Sequence, residues 1–260
     1  MAGTAVKRRA QRALERQLIY QQRKAGRIEG HEAETMAAMA AHSAEVRSKL
    51  ERVQPLRRDI RVLEVGSGAH GLIFFFDAAE RVGVDPLAEE YRRLFPAWQA
   101  NAETIACGGE KLPFSDAVFD VVLCDNVVDH AEDPRRIVEE ITRVLTPGGL
   151  LYFTVNVHHP LYEVAAKLHS AWRRMGVPLE ITPFADHTVH LTIATAEALL
   201  AGLPLRIASE SDTIAQTKDE GRTAPRRHPG DMLKRWFFKN ARWEAIAVRE
   251  DELAPTSRAS

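Results

Sequence analysis

The sequence predicts an α/β protein, a doubly wound, mostly parallel seven-stranded sheet with a helical N-terminal extension. Three observations predict it. From Ile60 onward, short β-rich runs alternate with helical patterning, the rhythm of β–α–β units. Those runs are nearly continuous apolar stretches, as expected of strands covered on both faces. The first of them ends in a glycine-rich turn, VLEVGSGAHG over residues 62–71.

The elements follow in order. Residues 5–54 read as helical, with Met36, Met39, Val46, Leu50 and Val53 forming one apolar stripe. Gly26 and Gly30 divide this stretch into two helices, and Pro55 closes it. Strands are predicted at 60–65, 81–84, 103–106, 119–124 and 150–157. A strong helix precedes the last of these: Asp133 is placed to cap it, Pro134 suits its first turn, and Pro147-Gly148-Gly149 ends it. Its buried face is Ile137, Val138, Ile141, Val144 and Leu145. Beyond His159 the rhythm weakens into helices at about 161–175 and 195–202, then strands at 205–210 and 243–248. The domain reading is a helical extension or cap over 1–57, an α/β domain over 58–250 whose residues 158–200 cover the site, and a disordered tail over 251–260.

Bulk properties exclude little. Of 260 residues, 45% are hydrophobic and 27% charged, ordinary for a soluble globular chain. A formal charge of -1 implies no global attraction to nucleic acid or membrane. Residues 1–27 nevertheless hold eight basic side chains against one acid, a solvated helix face or a contact for an anionic partner. Cys107 and Cys124 lie in strand-like surroundings and read as free thiols. With no long apolar span and no secretory leader, the expected location is cytoplasmic and the chain is not expected to span a membrane.

The turn after the first strand admits two ligand classes. A dinucleotide would rest its pyrophosphate on the following helix. S-adenosylmethionine carries a sulfonium, an amino group, a carboxylate and a ribose instead. Glu64 separates them, because a carboxylate at that strand end repels a pyrophosphate and favours a cationic methionine moiety. Asp85, closing the second strand in VGVDP, suits a ribose in either ligand and does not discriminate.

Four stretches in order now carry a resemblance: VLEVGSGAHG, VGVDPLAEEY, GEKLPFSDAVFDVVLCDNVVDH and ITRVLTPGGLLYFTV. Over about residues 60–157 the chain resembles the class I S-adenosylmethionine-dependent methyltransferases, and most of all the small-molecule group with the LPF…FD signature. The resemblance implies a Rossmann-like methyltransferase fold and S-adenosyl-L-methionine as cofactor. It implies that Gly66, Ser67 and Gly68 line the methionine end beside Glu64, and that Asp85 holds the ribose. Pro86 and Leu87 would lie along the adenine, Gly109, Glu110 and Leu112 would border its edge, and Asn126 would face the sulfonium. Where many relatives carry an Asp this chain has Gly108, which leaves the adenine to backbone groups and Glu110.

Methyl transfer needs the acceptor positioned, and a hydroxyl acceptor also needs a base. His130 and His158 directly follow predicted strand ends and are the chosen bases, with Asp129 as orienting group or helix cap. His159, His187 and His190 lie nearby in sequence, but without a CxxC or HExxH framework no metal is assigned. The expected function is transfer of a methyl group from S-adenosylmethionine to a small-molecule, glycan or lipid-linked acceptor. An RNA methyltransferase, an NAD-dependent oxidoreductase and a non-catalytic S-adenosylmethionine-binding module are the alternatives. Nucleic acid is disfavoured as a partner, since DNVV stands after the fourth strand where amino-methylating nucleic-acid enzymes carry an NPPY-type tetrapeptide.

Overall fold

A computed structural model describes residues 15–25, 31–161, 191–223, 237–238 and 240–251. Its helices are α1 (15–25), α2 (Glu32–Val53), α3 (Ala88–Leu94), α4 (Pro96–Gln99), α5 (Pro134–Val144), α6 (Ile193–Leu200) and α7 (Ile214–Thr223). Its strands are β1 (Arg61–Val65), β2 (Glu80–Val84), β3 (Glu103–Ile105), β4 (Phe119–Asp125), β5 (Leu145–Val157), β6 (Leu205–Asp212) and β7 (Ala241–Arg249). They form one seven-stranded sheet in the order β3-β2-β1-β4-β5-β7-β6. Every pairing from β3 to β5 is parallel, and β7 runs antiparallel to both of its neighbours. The chain reverses its winding between β1 and β4, which opens a crevice at the carboxyl ends of those strands.

Each face of the sheet carries its own core. On one side α5 and α6 cover Leu63, Val122, Leu151, Phe153 and Trp243. On the other, Val46 and Leu50 of α2 join Val62, Leu72, Phe74, Tyr91, Trp98, Leu123 and Tyr152. The N-terminal stripe is thus part of the domain core, and Ser43 on α2 donates to the carbonyl of Leu72 at 3.1 Å. The sequence boundary at 57/58 therefore passes between elements that share one core. Gly26 and Gly30, where a helix break is expected, lie outside the described residues. Asp133 caps α5 as expected, its carboxylate accepting from the Arg136 amide at 3.1 Å, with Pro134 at the first position.

Three features depart from the sequence reading. β5 begins at Leu145, directly after α5, so Pro147-Gly148-Gly149 lies inside the strand. Phe119 pairs with Leu145 but Val121 with Leu150, so Thr146–Gly149 bulge out of the ladder. The α3–α4 pair was not anticipated; it is too short for a helical period and is anchored by the buried rings of Tyr91, Phe95 and Trp98. α7 was likewise missed, because it buries none of its residues and so carries no apolar stripe. Most of the expected cap, residues 162–190, including His187 and His190, lies outside the described residues, as do 1–14 and 252–260.

Candidate active site

The site grows from the end of β1. Gly66 turns the chain with φ of +73°, and the amides of Gly66 and Ser67 both donate to the carbonyl of Val84, at 2.7 and 3.1 Å. This ties the turn to the end of β2. A side chain at 66 would meet Val127 Cγ2 at 2.4 Å, so glycine is required there for packing as well as for backbone sign. Gly68 differs. Its φ is +55°, but only the Gly66 carbonyl comes near its missing Cβ, at 4.0 Å. Space above the backbone is therefore open at 68 and closed at 66.

Glu64 lies beneath the turn. Its two carboxylate oxygens accept from the amides of Leu72 (3.2 Å) and Ile73 (2.9 Å), and the side chain is fully buried. Burial pushes its carboxyl up to about 8; Asp125 and Asp85 push the same way, and the two amides oppose them. Asp85 closes β2 and bridges two loops, accepting from Gly68 N at 3.1 Å and from Leu87 N at 2.8 Å. Burial raises its carboxyl as well. Each Asp85 oxygen takes one amide and keeps acceptor capacity for a further donor.

Asp125 ends β4. Glu64 pairs with Leu123, so Asp125, two residues on, faces the same side of the sheet as Glu64. The hydroxyl of Thr154 donates to it across the β4–β5 ladder. Asn126 follows in the left-handed region, φ +57°, with its amide held by the Thr154 carbonyl at 3.1 Å. Its side-chain oxygen is buried and has no hydrogen-bond partner among the described residues. Asparagine tolerates this left-handed backbone, and the oxygen keeps acceptor capacity for a further donor.

The remaining expected residues divide. Glu110 accepts from the Glu132 amide at 3.2 Å and so joins the turn after β3 to the approach to α5. Gly109 packs against Val65 and Ile137, and Leu112 is a core residue whose amide is held by Glu140 at 2.9 Å. Leu87 is buried and precedes α3, with Pro86 between it and Asp85. Ser67 is buried. Asp129 is fully buried in the short 3-10 turn Val128–His130, which His130 closes. The His130 side chain is outside the described ones.

His158 is the other expected base. It is buried at the end of β5, and its Nδ1 accepts from the amide of Asn240 at 3.2 Å. An accepting Nδ1 leaves the proton of the neutral ring on Nε2.

Two contributors escaped the sequence reading. Asp125 was legible only as the last residue of an apolar strand beside Asn126. His70, within the glycine turn, is held edge-on between Phe95 (4.4 Å) and Trp98 (4.5 Å), with Lys24 Nζ of α1 at 3.4 Å from its Nδ1. Burial, then Lys24, lowers its pKa to about 4, so it is neutral near pH 7. Gln99 of α4 donates to the carbonyls of Gly68 (3.3 Å) and Ala69 (3.2 Å) and holds the same turn from the other side.

Both cysteines are free, and Cys124 is buried. Among the described residues no group of His, Cys, Asp and Glu could hold a metal ion. No helix among them is long and apolar enough to cross a membrane.

Comparison with known proteins agrees with this geometry. Residues 63–153 match the family described as "Methyltransferase domain". An uncharacterized methyltransferase of Mycobacterium sp. (strain JLS) is 40% identical over 102 residues, 37% of this chain and 38% of that one. The thiol S-methyltransferase TMT1B of Rattus norvegicus is 26% identical over 155 residues, 55% of this chain and 64% of that one. The alignment thus spans less than two fifths of the length of the mycobacterial relative. The fold is shared with the YcgJ protein of Bacillus subtilis, with a TM-score of 0.56 at 17% identity, over 82% of this chain and all of that one. The order of motifs, the winding of the sheet and these matches agree: residues 63–153 match a methyltransferase domain.

Proposed function

We propose that the protein transfers a methyl group from S-adenosylmethionine to a small-molecule acceptor. One observation carries the reading. Glu64, Asp85 and Asp125 gather at the carboxyl ends of β1, β2 and β4, around a turn whose backbone is open at Gly68. Asp85 and Asp125 each raise the carboxyl of Glu64, so the crevice is an acidic field under burial. A cationic ligand relieves that field, whereas the pyrophosphate of a dinucleotide would be repelled by it. The unsatisfied oxygen of Asn126 and the spare acceptor capacity of Asp85 fit the same ligand.

When bound, S-adenosylmethionine supplies a methyl group activated by its sulfonium. The chain's part is to hold and orient. Asp85 would accept from ribose hydroxyls, which form charge-assisted bonds. Glu64 keeps the turn in shape through Leu72 and Ile73, and a cation above it would favour loss of its proton. Asn126 would place its oxygen toward the methionine end, and Glu110 would border the adenine. With the ring proton of His158 on Nε2, the acceptor would lose its proton to Asp129, to His130 or to solvent. The rat relative is named for thiols, and a thiol ionises without a strong base. Small thiols therefore open the acceptor panel, followed by hydroxyl, amine, glycan and lipid-linked compounds.

The test is parallel calorimetric titration with S-adenosylmethionine, S-adenosylhomocysteine and NAD. Micromolar binding of both adenosyl compounds without NAD is expected. Binding of NAD alone, or of none of the three, would overturn the reading.

A further inference from the structure

A second concavity lies at the far edge of the sheet from the glycine turn. A groove of about 630 Å³ runs between the C-terminal half of α2 and one face of β6 and β7. From β1 to β6 the sheet crosses β4, β5 and β7, so the two places are roughly 20 Å apart at ~4.8 Å per strand. Ile246 and Val248 form an apolar floor. Lys49 and Arg52 stand on the α2 wall, and Arg206, Ser209 and Ser211 stand on β6.

The strand is shaped to present those three side chains together. Arg206 pairs with Val248, Ser209 with Ile246 and Ser211 with Glu244, and the register slips between Ile207 and Ser209. Without that bulge at Ala208, side-chain alternation would send Arg206 and Ser209 to opposite faces. The bulge brings the guanidinium and both hydroxyls to the groove. Glu244, the one acid lining it among the described residues, is already engaged, accepting from Lys49 at 2.8 Å and from the buried Tyr152 hydroxyl at 2.9 Å. Its charge therefore does not cancel those of Arg52 and Arg206. Arg52 has no ion-pair partner among the described residues, and Arg206, the more exposed member of its pair, reaches Glu250 at 3.0 Å through Nε, which leaves its terminal nitrogens to face a ligand. Two guanidinium forks, two hydroxyls and an apolar floor match an organic phosphate with a flat apolar body. The volume falls in the range of sites for small organic ligands.

We propose that this groove is a second small-molecule site that binds an organic phosphate through Arg52, Arg206, Ser209 and Ser211. The full chain, saturated with S-adenosylhomocysteine to block the first site, is titrated with 1-naphthyl phosphate, 1-naphthol and inorganic phosphate. Binding is read by calorimetry and by amide shifts at residues 52–54 and 206–211. Saturable binding of 1-naphthyl phosphate is expected, with both fragments at least tenfold weaker. Arg52→Gln and Arg206→Gln should each weaken it about tenfold or more. Both positions are on the surface, and an unchanged melting temperature reports that each variant is folded. No saturable binding, equal binding of 1-naphthol, or full affinity in both variants would each overturn the proposal. If the chain does not bind S-adenosylhomocysteine at all, the first site's reading fails while this groove is still tested by the same variants.

Discussion

Two glycines of one turn should answer the same substitution in opposite ways. At Gly66 an added methyl must adopt φ of +73° and sit 2.4 Å from Val127 Cγ2 and 2.7 Å from Cγ1. The left-handed backbone costs about 1–2 kcal/mol. Overpacking against a buried neighbour adds about 1–3 kcal/mol. Gly66→Ala should therefore lose roughly 2–5 kcal/mol of stability, a fall in melting temperature on the order of 10 °C for a chain of this size. At Gly68 the backbone penalty is similar, φ being +55°, but the nearest atom is 4.0 Å away. Gly68→Ala should cost only about 1–2 kcal/mol in stability. Its methyl group, however, occupies the space assigned to the ligand, so affinity for S-adenosylhomocysteine should fall at least tenfold. Denaturant titration and calorimetry of both variants measure the two quantities separately. A Gly66→Ala protein as stable as the parent would refute the packing argument. A Gly68→Ala protein that binds S-adenosylhomocysteine like the parent would show that the open space is not the ligand's.

Asp85→Ala should weaken S-adenosylhomocysteine binding by about 1.5–3 kcal/mol for each charge-assisted bond lost, and unchanged affinity would remove Asp85 from the site. The buried carboxyl of Glu64 titrates near 8 instead of its ordinary 4.5, so between those values the folded chain holds a proton that the unfolded chain has lost. Its contribution to stability therefore falls as pH rises from about 4.5 to about 8, and Glu64→Gln should flatten that part of the stability curve; a slope equal to the parent's speaks against it. Binding of a cationic ligand below that pH should release a proton, seen as a buffer-dependent binding enthalpy, and enthalpies that agree across buffers would contradict the acidic-field argument. His158→Ala leaves the part-buried Asn240 amide without its acceptor and should cost about 0.5–1.5 kcal/mol in stability for that bond, while any methyl-transfer activity found should keep the parent's pH profile. Loss of the acidic limb of that profile would assign His158 as the base.

The local chemistry of the site was legible because it is local. Glycine at 66 and 68, the acid at 64 and the acid closing β2 occupy short stretches at strand ends, where residue type alone reports backbone sign and charge. The five parallel strands were legible too, since burial on both faces writes continuous apolar runs into the chain. The amides that hold Glu64 and Asp85 were not. Each bond is made to another loop or to a turn eight or more residues away in most cases, and its partner is a backbone group that carries no residue signature.

The same division explains what pattern could not show. His158 follows a strand, but the contact that holds its ring comes from Asn240, 82 residues further along the chain. Leu112 packs in the core beside α5, with Glu140 holding its amide, and neither contact is written in its own stretch. The bulge over Thr146–Gly149 read as a helix stop, because proline and glycine punctuate both. From residue pattern alone came the parallel strands of the sheet, the glycine turn and the identity of the acids beside it. Only tertiary structure could decide which way each side chain faces, which carboxylates share a field and which grooves stay open. Those depend on register and on contacts between segments far apart in the chain, and no periodicity in sequence records them.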